Sequence, residues 1–217
     1  MRFILSILII FFLSISCEQS ETQKKFPELE ATLTSKEPVD SLLKRKLEIL
    51  SVEDQTLRFL LPDAIERFGR DSEEYAFIWR LLHRQDSLCI NGVVAILEAH
   101  GWVGKSRVGD KANQAIWLII QHAELPIQEK YLPLLKASVE EGESEGWHLA
   151  FLEDRVLMNN NKRQIYGTQT NWDSKAKKNR IHPIEDVEHV NARRAKLGLE
   201  SIEEYAKSNG HIFDQIK

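Results

Sequence analysis

Four polar clusters between positions 100 and 169 carry the side chains best suited to chemistry. Each cluster lies at the edge of an apolar run, where a helix end or a loop can line a cavity. The clusters are His100-Gly101-Trp102, Gln121-His122-Ala123, Glu153-Asp154-Arg155 and Gln164-Ile165-Tyr166-Gly167-Thr168-Gln169. Together they supply the hydrogen-bond donors, acceptors and titratable groups from which a binding or catalytic site can be built.

Asp154 interrupts the apolar stripe of a predicted helix at 144–158. Trp147, Phe151 and Leu157 mark this stripe by their spacing, and Asp154 stands where another apolar residue is expected. A carboxylate that faces a core is costly unless it is paired or hydrogen-bonded, so a partner must meet it there. Two interpretations stay open: Asp154 caps a helix or binds a loop backbone, or it is a functional acid or ligand-binding group.

His122 stands at the end of the most apolar helix predicted, at 111–123. Histidine is the usual proton carrier near neutral pH, although a histidine at a helix end often only bonds backbone carbonyls. In the catalytic interpretation His122 is the general base or acid and Asp154 orients it. Arg155 or Gln169 then holds an anionic or amide-bearing substrate. The candidate catalytic residues are therefore His122, Asp154 and Arg155.

A second group of polar residues is predicted to bind a ligand. Asp54 and Arg58 form an acid–base pair four residues apart, and Tyr166 offers a hydroxyl beside a glycine that permits close backbone approach. The candidate ligand-binding residues are Asp54, Arg58, Gln121, Gln164, Tyr166 and Gln169. The alternative is that Asp54 and Arg58 form an ordinary surface pair, and that the segment ending at Gln169 only ties a loop to the helices.

Motifs for nucleotide and metal binding are weak, so no cofactor and no metal are predicted. Gly104-Lys105-Ser106 resembles the end of a P-loop, but Ala99 stands where the motif requires glycine and the preceding segment is helical. His182 and His189 flank Asp186, but Pro183 opposes a helix that would gather all three. The sequence also lacks HExxH and GxSxG motifs.

The elements that position these residues are predicted to be helices. Apolar positions recur at helical spacing through most of the chain from residue 40, and Asp86 is predicted to cap a helix over 87–99. A further helix is predicted over 183–197. We therefore expect a mainly α fold: a single compact multi-helix domain over 40–209, with at most a short strand or extended segment near 163–170 and a tail at 210–217.

The first residues have the pattern of an export signal. Arg2 precedes an apolar run from Phe3 to Leu13, and small residues lead to Cys17. This pattern resembles the lipobox of bacterial lipoproteins, although Ser14 stands where leucine is usual. It predicts a signal peptide at 1–16, lipidation of Cys17 and a flexible polar tether at 17–39. An ordinary cleaved signal and an uncleaved anchor are the alternatives.

This N-terminal pattern also predicts the location and partners of the domain. We expect an exported protein that is anchored to a bacterial membrane through Cys17, on the periplasmic or cell-surface face. The net charge of −4 is modest, and the basic stretch 175–180 has no interleaved aromatic residues. This stretch is therefore expected to be a solvated loop, and no nucleic-acid partner is predicted. An unknown small molecule or protein is the expected partner.

Several motifs together resemble a bacterial domain-of-unknown-function family, DUF6624, over roughly residues 45–205. The motifs are Asp54-Gln55-x-x-Arg58, Asp86 with Asn91, His100-Gly101-Trp102, Gly109, Gln121-His122-Ala123, Ala150-x-Leu152-x-Asp154-Arg155, Gln164-x-Tyr166-Gly167-Thr168-Gln169 and Asn191-Ala192-Arg193-Arg194 with Leu197-Gly198-Leu199. Val103 departs from the pattern, because a proline after Gly-Trp is common in relatives. The resemblance groups the chain and its candidate positions but implies no mechanism.

Two functional hypotheses follow from the sequence. The first is a membrane-tethered hydrolase or group-transfer enzyme with a polar pocket that contains His122, Asp154 and Arg155. The second is a non-catalytic envelope lipoprotein that binds a ligand or protein and uses its polar motifs to lock the fold. Convergence of the polar residues in a solvent-accessible cleft favours the first hypothesis, and their complete burial favours the second.

Overall fold

The computed structural model describes residues 40–214, and helices make up most of this range. The predicted mainly α fold is confirmed. The predicted signal peptide, Cys17 and tether lie outside the described residues. In the described part of the chain, no helix is long and apolar enough to cross a membrane. The helices are α1 (Ser41–Thr56), α2 (Leu61–Phe68), α3 (Glu73–His100), α4 (Lys105–Val108), α5 (Asp110–His122), α6 (Leu125–Glu140), α7 (Gly146–Asn159), α8 (Val190–Lys196) and α9 (Ile202–Ser208).

Helix α5 is the centre of the main core. It contacts α1, α3, α4, α6 and α7. Ile116, Ile119 and Ile120 have no exposed surface, so apolar side chains cover α5 on several sides. Burial of each such side chain stabilises the fold by roughly 1.5–3 kcal/mol. Because α5 is fixed on these sides, its last residue, His122, has a defined position relative to α1 and α3.

Helix α3 is continuous through Asp86, so the prediction of a separate helix capped by Asp86 is wrong. The helix runs for 28 residues and begins at the cap residue Ser72, whose side chain accepts a hydrogen bond from the backbone of Tyr75. The carboxylate of Asp86 does not cap a helix. It bonds the guanidinium of Arg58, which lies 28 residues earlier in the chain. With this long-range partner, Asp86 is accommodated in the middle of a helix.

The C-terminal region adds a small antiparallel hairpin. Its strands are β1 (Thr170–Asp173) and β2 (Lys178–Ile181), which pair in the register Thr170 with Ile181. The extended segment predicted near 163–170 is mostly irregular, with one isolated bridge from Gln164 to Ile184. The basic stretch 175–180 forms the turn of this hairpin and most of β2.

The helix predicted over 183–197 begins later than expected. A 3-10 turn at Val187–His189 leads into α8, which begins at Val190. Asp186 has a left-handed backbone with φ of 45°, and Ile184 is held in the bridge to Gln164. Neither conformation is compatible with an α-helix. Residues of the hairpin and of α8 and α9 bury a second, smaller core: Ile181, Ile184, Val190, Ile202 and Ala206.

Candidate functional site

Four charged or titratable side chains meet where α1, α3 and α5 come together. Asp54 lies in the last turn of α1, Arg58 follows the helix, Asp86 lies in the middle of α3, and His122 ends α5. Asp54 Oδ2 is 3.1 Å from His122 Nδ1 and 3.3 Å from Arg58 Nε. A guanidinium nitrogen of Arg58 is 2.5 Å from Asp86 Oδ1. We refer to these four residues as the Asp54 cluster.

Asp54 is the anion at the centre of the cluster. It is almost fully buried, and burial favours the neutral acid. Its contacts with His122 and Arg58 outweigh burial and hold the pKa of Asp54 below 3.8, so the group is ionised at neutral pH. Gln55 also donates a hydrogen bond to Asp54 Oδ2, at 2.6 Å. The carboxylate is thus fixed by three donors from the cluster and its neighbour.

Asp86 differs from Asp54 in its electrostatics. Burial raises the pKa of Asp86, and the adjacent Arg58 only partly offsets that increase. The single guanidinium of Arg58 is shared between the two carboxylates, which lie on different helices. Arg58 therefore compensates one of the two negative charges and links the end of α1 to α3.

His122 presents one ring nitrogen to Asp54 and leaves the other available. Its side chain is 16% exposed, so solvent reaches the ring. Since ionised Asp54 can only accept, Nδ1 must carry the hydrogen in their contact. In the neutral ring Nε2 then has the lone pair, and no residue within 40–214 forms a hydrogen bond with it. This is the arrangement of a histidine that can accept a proton from a bound molecule.

Arg155 on α7 is a cation without a counter-ion among residues 40–214. Its Nε atom is sealed from solvent and has no hydrogen-bond partner, and none of its nitrogens forms an ion pair within the described residues. Burial lowers the pKa of Arg155, and the nearby positive charge of Arg58 lowers it further. The residue is only partly exposed, so its charge faces the protein as well as solvent.

Asp154 binds the following loop rather than His122. It accepts hydrogen bonds from the backbone nitrogens of Ile165, Tyr166 and Thr168 and from the Thr168 hydroxyl, at 2.7–3.2 Å. It has no exposed surface. Burial raises the pKa of Asp154, and these donors oppose that increase. The expectation that Asp154 orients His122 therefore needs correction: the loop occupies both oxygens, and Asp54 is the carboxylate that contacts the imidazole.

Gln164 and Gln169 also bind the loop. The side-chain amide of Gln164 donates to the carbonyls of Gln169 and His182, at 3.1 and 2.6 Å, and accepts from the backbone of Gln169. The amide of Gln169 donates to the Phe151 carbonyl at 3.2 Å. Both glutamines are buried, and none of these bonds is to the Asp54 cluster. Their amide groups are thus engaged within the protein.

Neither Tyr166 nor Gln121 belongs to the Asp54 cluster. The hydroxyl of Tyr166 lies beside Glu153, and burial with this negative charge raises the pKa of Tyr166 to about 12. Gln121 is buried, and its Oε1 atom has no hydrogen-bond partner in the part of the chain that the structure describes. The backbone carbonyl of Gln121 accepts a bond from the Gln128 side chain, which holds the end of α5.

Asp86 is the member of the cluster that was not predicted as a site residue. The sequence predicted Asp86 only as a helix cap and as part of the family pattern. Its neighbours Leu82, Cys89 and Val93 are fully buried and stand at helical spacing around it. An acid on an apolar stripe was the signal that singled out Asp154, and the same signal identifies Asp86 once α3 is taken as one helix.

Three groups of the cluster also have the chemistry of metal ligands. One ligand atom each from Asp54, Asp86 and His122 lies within 4.8 Å of the others. Two carboxylates and an imidazole suit a divalent cation such as zinc. However, the Arg58 guanidinium already bonds both carboxylates, so a cation would have to displace it. The arrangement therefore fits an acid–base cluster bridged by Arg58 at least as well.

A surface cavity of about 370 Å³ lies elsewhere on the domain. It is lined by Leu157, Lys162, Arg163, Ile165 and Glu185, and none of these belongs to the Asp54 cluster. The residues that line this cavity do not include a histidine or a paired acid and base. The Asp54 cluster, with Arg155 nearby, has the stronger chemical arrangement.

Comparison with known proteins identifies the family of this chain. Residues 43–214 match DUF6624, a family of unknown function. No curated protein and no solved structure matches the chain. The match covers the described domain from the first turn of α1 to its last residue and includes every member of the Asp54 cluster. The chain therefore belongs to the DUF6624 family.

Proposed function

We propose that this domain is a hydrolase or group-transfer enzyme in which His122 is the general base. The observation that carries the proposal is the contact between His122 Nδ1 and the ionised carboxylate of Asp54. Such a contact fixes the ring tautomer and stabilises the imidazolium that forms when the ring takes up a proton. It leaves Nε2 directed to whatever binds at the partly exposed side of the ring.

The proposed reaction begins with removal of a proton. His122 Nε2 takes it from a water molecule, or from the hydroxyl of an acceptor, as that oxygen attacks the substrate. The imidazolium then returns the proton to the leaving group. Asp54 stays ionised throughout and compensates the charge on the ring. Arg58 also bonds Asp54 and holds it in place, so it is a positioning residue in this scheme.

An activity screen with matched variants tests the proposal. The full chain is assayed against chromogenic carboxylic esters, phosphate monoesters and phosphate diesters. We expect turnover of at least one class, and His122→Gln should lower kcat/KM by about 100-fold to 10,000-fold while the circular dichroism melting curve is preserved. His100→Gln, which changes an exposed histidine at the end of α3, is the control. Turnover that survives in His122→Gln contradicts the assignment.

A second candidate function is ligand or partner binding without turnover. The engagement of Asp154, Gln164 and Gln169 with their own loop favours it, because these polar motifs then stabilise the fold. A compound that protects the full chain from thermal unfolding but is recovered unchanged supports this alternative. Conversion of the same compound supports the enzyme.

We further propose that the domain is held at a bacterial membrane by lipid on Cys17. The support is the apolar run and the small residues before this cysteine. Fractionation of cells that express the full chain tests it. The wild type should partition with membranes and incorporate labelled palmitate, whereas Cys17→Ala should lose the label. Membrane retention of a processed Cys17→Ala chain contradicts the proposal.

A further inference from the structure

Arg155 is a partly buried cation whose charge is not compensated by an acidic side chain among residues 40–214. A guanidinium remains charged at any ordinary pH, so it cannot escape burial by losing its proton. A buried charge without a partner is strongly unfavourable. Within residues 40–214 the side chain of Arg155 forms no hydrogen bond and no ion pair, and its Nε atom has no contact with solvent. A bound anion would supply the counter-charge that these residues do not provide.

The neighbouring acids are already engaged. Asp154 precedes Arg155 in sequence, but its oxygens bind the loop backbone, and adjacent helical residues point about 100° apart. Glu153 lies against the Tyr166 hydroxyl. Asp86 bonds Arg58. None of these carboxylates forms a bond with Arg155.

Arg155 lies on α7, which packs against α5, the helix that ends at the proposed general base His122. The nearby positive charge of Arg58 also lowers the pKa of Arg155. Arg58 in turn contacts Asp54, which holds His122. The two carboxylates of the cluster are matched by Arg58 and, when protonated, by His122. No anion among residues 40–214 pairs with Arg155.

We infer that Arg155 is a subsite for an anionic group of the substrate, such as a phosphate or a carboxylate. This inference rests on the proposed function, because it names the substrate class of the same site. The planar guanidinium offers two parallel N–H donors to such a group. Partial exposure of Arg155 provides access from solvent.

Anion binding by the full chain tests the inference independently of turnover. Inorganic phosphate and acetate are titrated calorimetrically at constant ionic strength, set with sodium chloride. We expect saturable binding of one of them, weakened at least about 10-fold in Arg155→Gln. Arg84→Gln is the matched control, because it removes an exposed arginine that has no ion pair within residues 40–214. It should bind like the wild type.

The outcomes separate this inference from the proposed function. Phosphate binding that is unchanged in Arg155→Gln overturns the subsite, and so does the absence of saturable binding of both anions. Binding that depends on Arg155 and persists in His122→Gln supports the subsite, even when no substrate is turned over. In that case only the catalytic proposal fails.

Thermal stability gives a second, independent readout. Removing an uncompensated buried charge should not destabilise the fold, so Arg155→Met should melt in phosphate-free buffer at the wild-type temperature or above it. Phosphate should raise the melting temperature of the wild type and leave that of Arg155→Met unchanged. A marked decrease for Arg155→Met in phosphate-free buffer indicates a structural role and overturns the inference.

Discussion

His148 should make the stability of this domain depend on pH below neutrality. The side chain is 1% exposed and stacks on Trp117, with ring centroids 4.7 Å apart and planes inclined by 15°. Trp147 packs edge-on against it at 4.2 Å. Neither ring nitrogen has a hydrogen-bond partner in the described range. Burial therefore disfavours the charged ring and lowers the pKa of His148 from 6.5 to about 4.

The sign of the effect follows from proton binding. Between about pH 4 and pH 6.5 the unfolded chain binds a proton at His148 that the folded chain does not bind. The free energy of unfolding therefore falls as pH decreases through this window. At about 1.4 kcal/mol per pKa unit, the full loss is about 3 kcal/mol. At about pH 5 the expected loss is about 2 kcal/mol.

Two nearby charged residues have opposite effects on the pKa of His148. Glu145 raises the pKa of His148 and Lys105 lowers it, and these two residues form an ion pair at 2.7 Å. Their effects on His148 oppose each other, so burial determines the direction. A substitution of His148 should therefore remove its contribution without a large change in the titration of its neighbours.

Urea unfolding of the wild type and of His148→Phe tests this prediction. Phenylalanine preserves an aromatic ring against Trp117 and has no proton to bind. The free energy of unfolding is measured near pH 7 and near pH 5 by far-UV circular dichroism, because tryptophan fluorescence would respond directly to protonation of the stacked ring. The wild type should lose about 2 kcal/mol more than the variant between the two pH values.

A substitution of an exposed histidine provides the control. His100→Gln should retain the pH response of the wild type, because His100 is exposed at the end of α3. Other groups titrate in the same window, but they are common to both chains and cancel in the difference. Equal losses for the wild type and His148→Phe would refute the reasoning, since burial of the ring would then carry no electrostatic cost.

Three further substitutions test the packing and electrostatics around the site. Asp154→Ala leaves several loop nitrogens without an acceptor and should cost about 3–5 kcal/mol in urea unfolding, whereas Asp154→Asn should cost less. Gly167→Ala should cost about 1–3 kcal/mol by the same assay, because φ is 79° and a Cβ atom would lie 2.6 Å from Ile202 Cδ1; an unchanged midpoint would contradict this. Arg58→Ala removes the guanidinium that bonds Asp86 and one of the donors to Asp54, and should lower stability by about 3–5 kcal/mol near neutral pH, with a smaller loss at acidic pH because burial raises the pKa of Asp86.

The fold could be predicted because its helices carry their own pattern. Apolar side chains recur at helical spacing in α5, and residues such as Ile116 and Ile119 are buried as that pattern requires. The break at Asp86 was predicted wrongly for a physical reason. A cap is a local feature, whereas the partner that makes Asp86 tolerable inside α3 is 28 residues away in the chain. Local sequence cannot distinguish these two uses of an aspartate.

Only part of the candidate site could be predicted from residue types and their spacing. His122, Asp54 and Arg58 could be selected because their residue types and positions are unusual, and the structure brings these three together. Their pairing could not be derived, because Asp54 and His122 are 68 residues apart and meet only when α1 packs on α5. The assignment of Asp154 to His122 was wrong because the spacing of apolar residues shows that this acid needs a partner but does not identify the partner.

Asp86 and Asp154 show what the spacing of apolar residues along a helix can and cannot predict. Both interrupt an apolar stripe, and both therefore require a polar partner inside the protein. For Asp154 the partners are backbone donors of one loop, which have no chemistry beyond hydrogen bonding. For Asp86 the partner is a guanidinium shared with a second acid that contacts a partly exposed imidazole. An acid on an apolar stripe thus predicts a partner, and the chemistry of that partner separates a structural lock from a candidate active site.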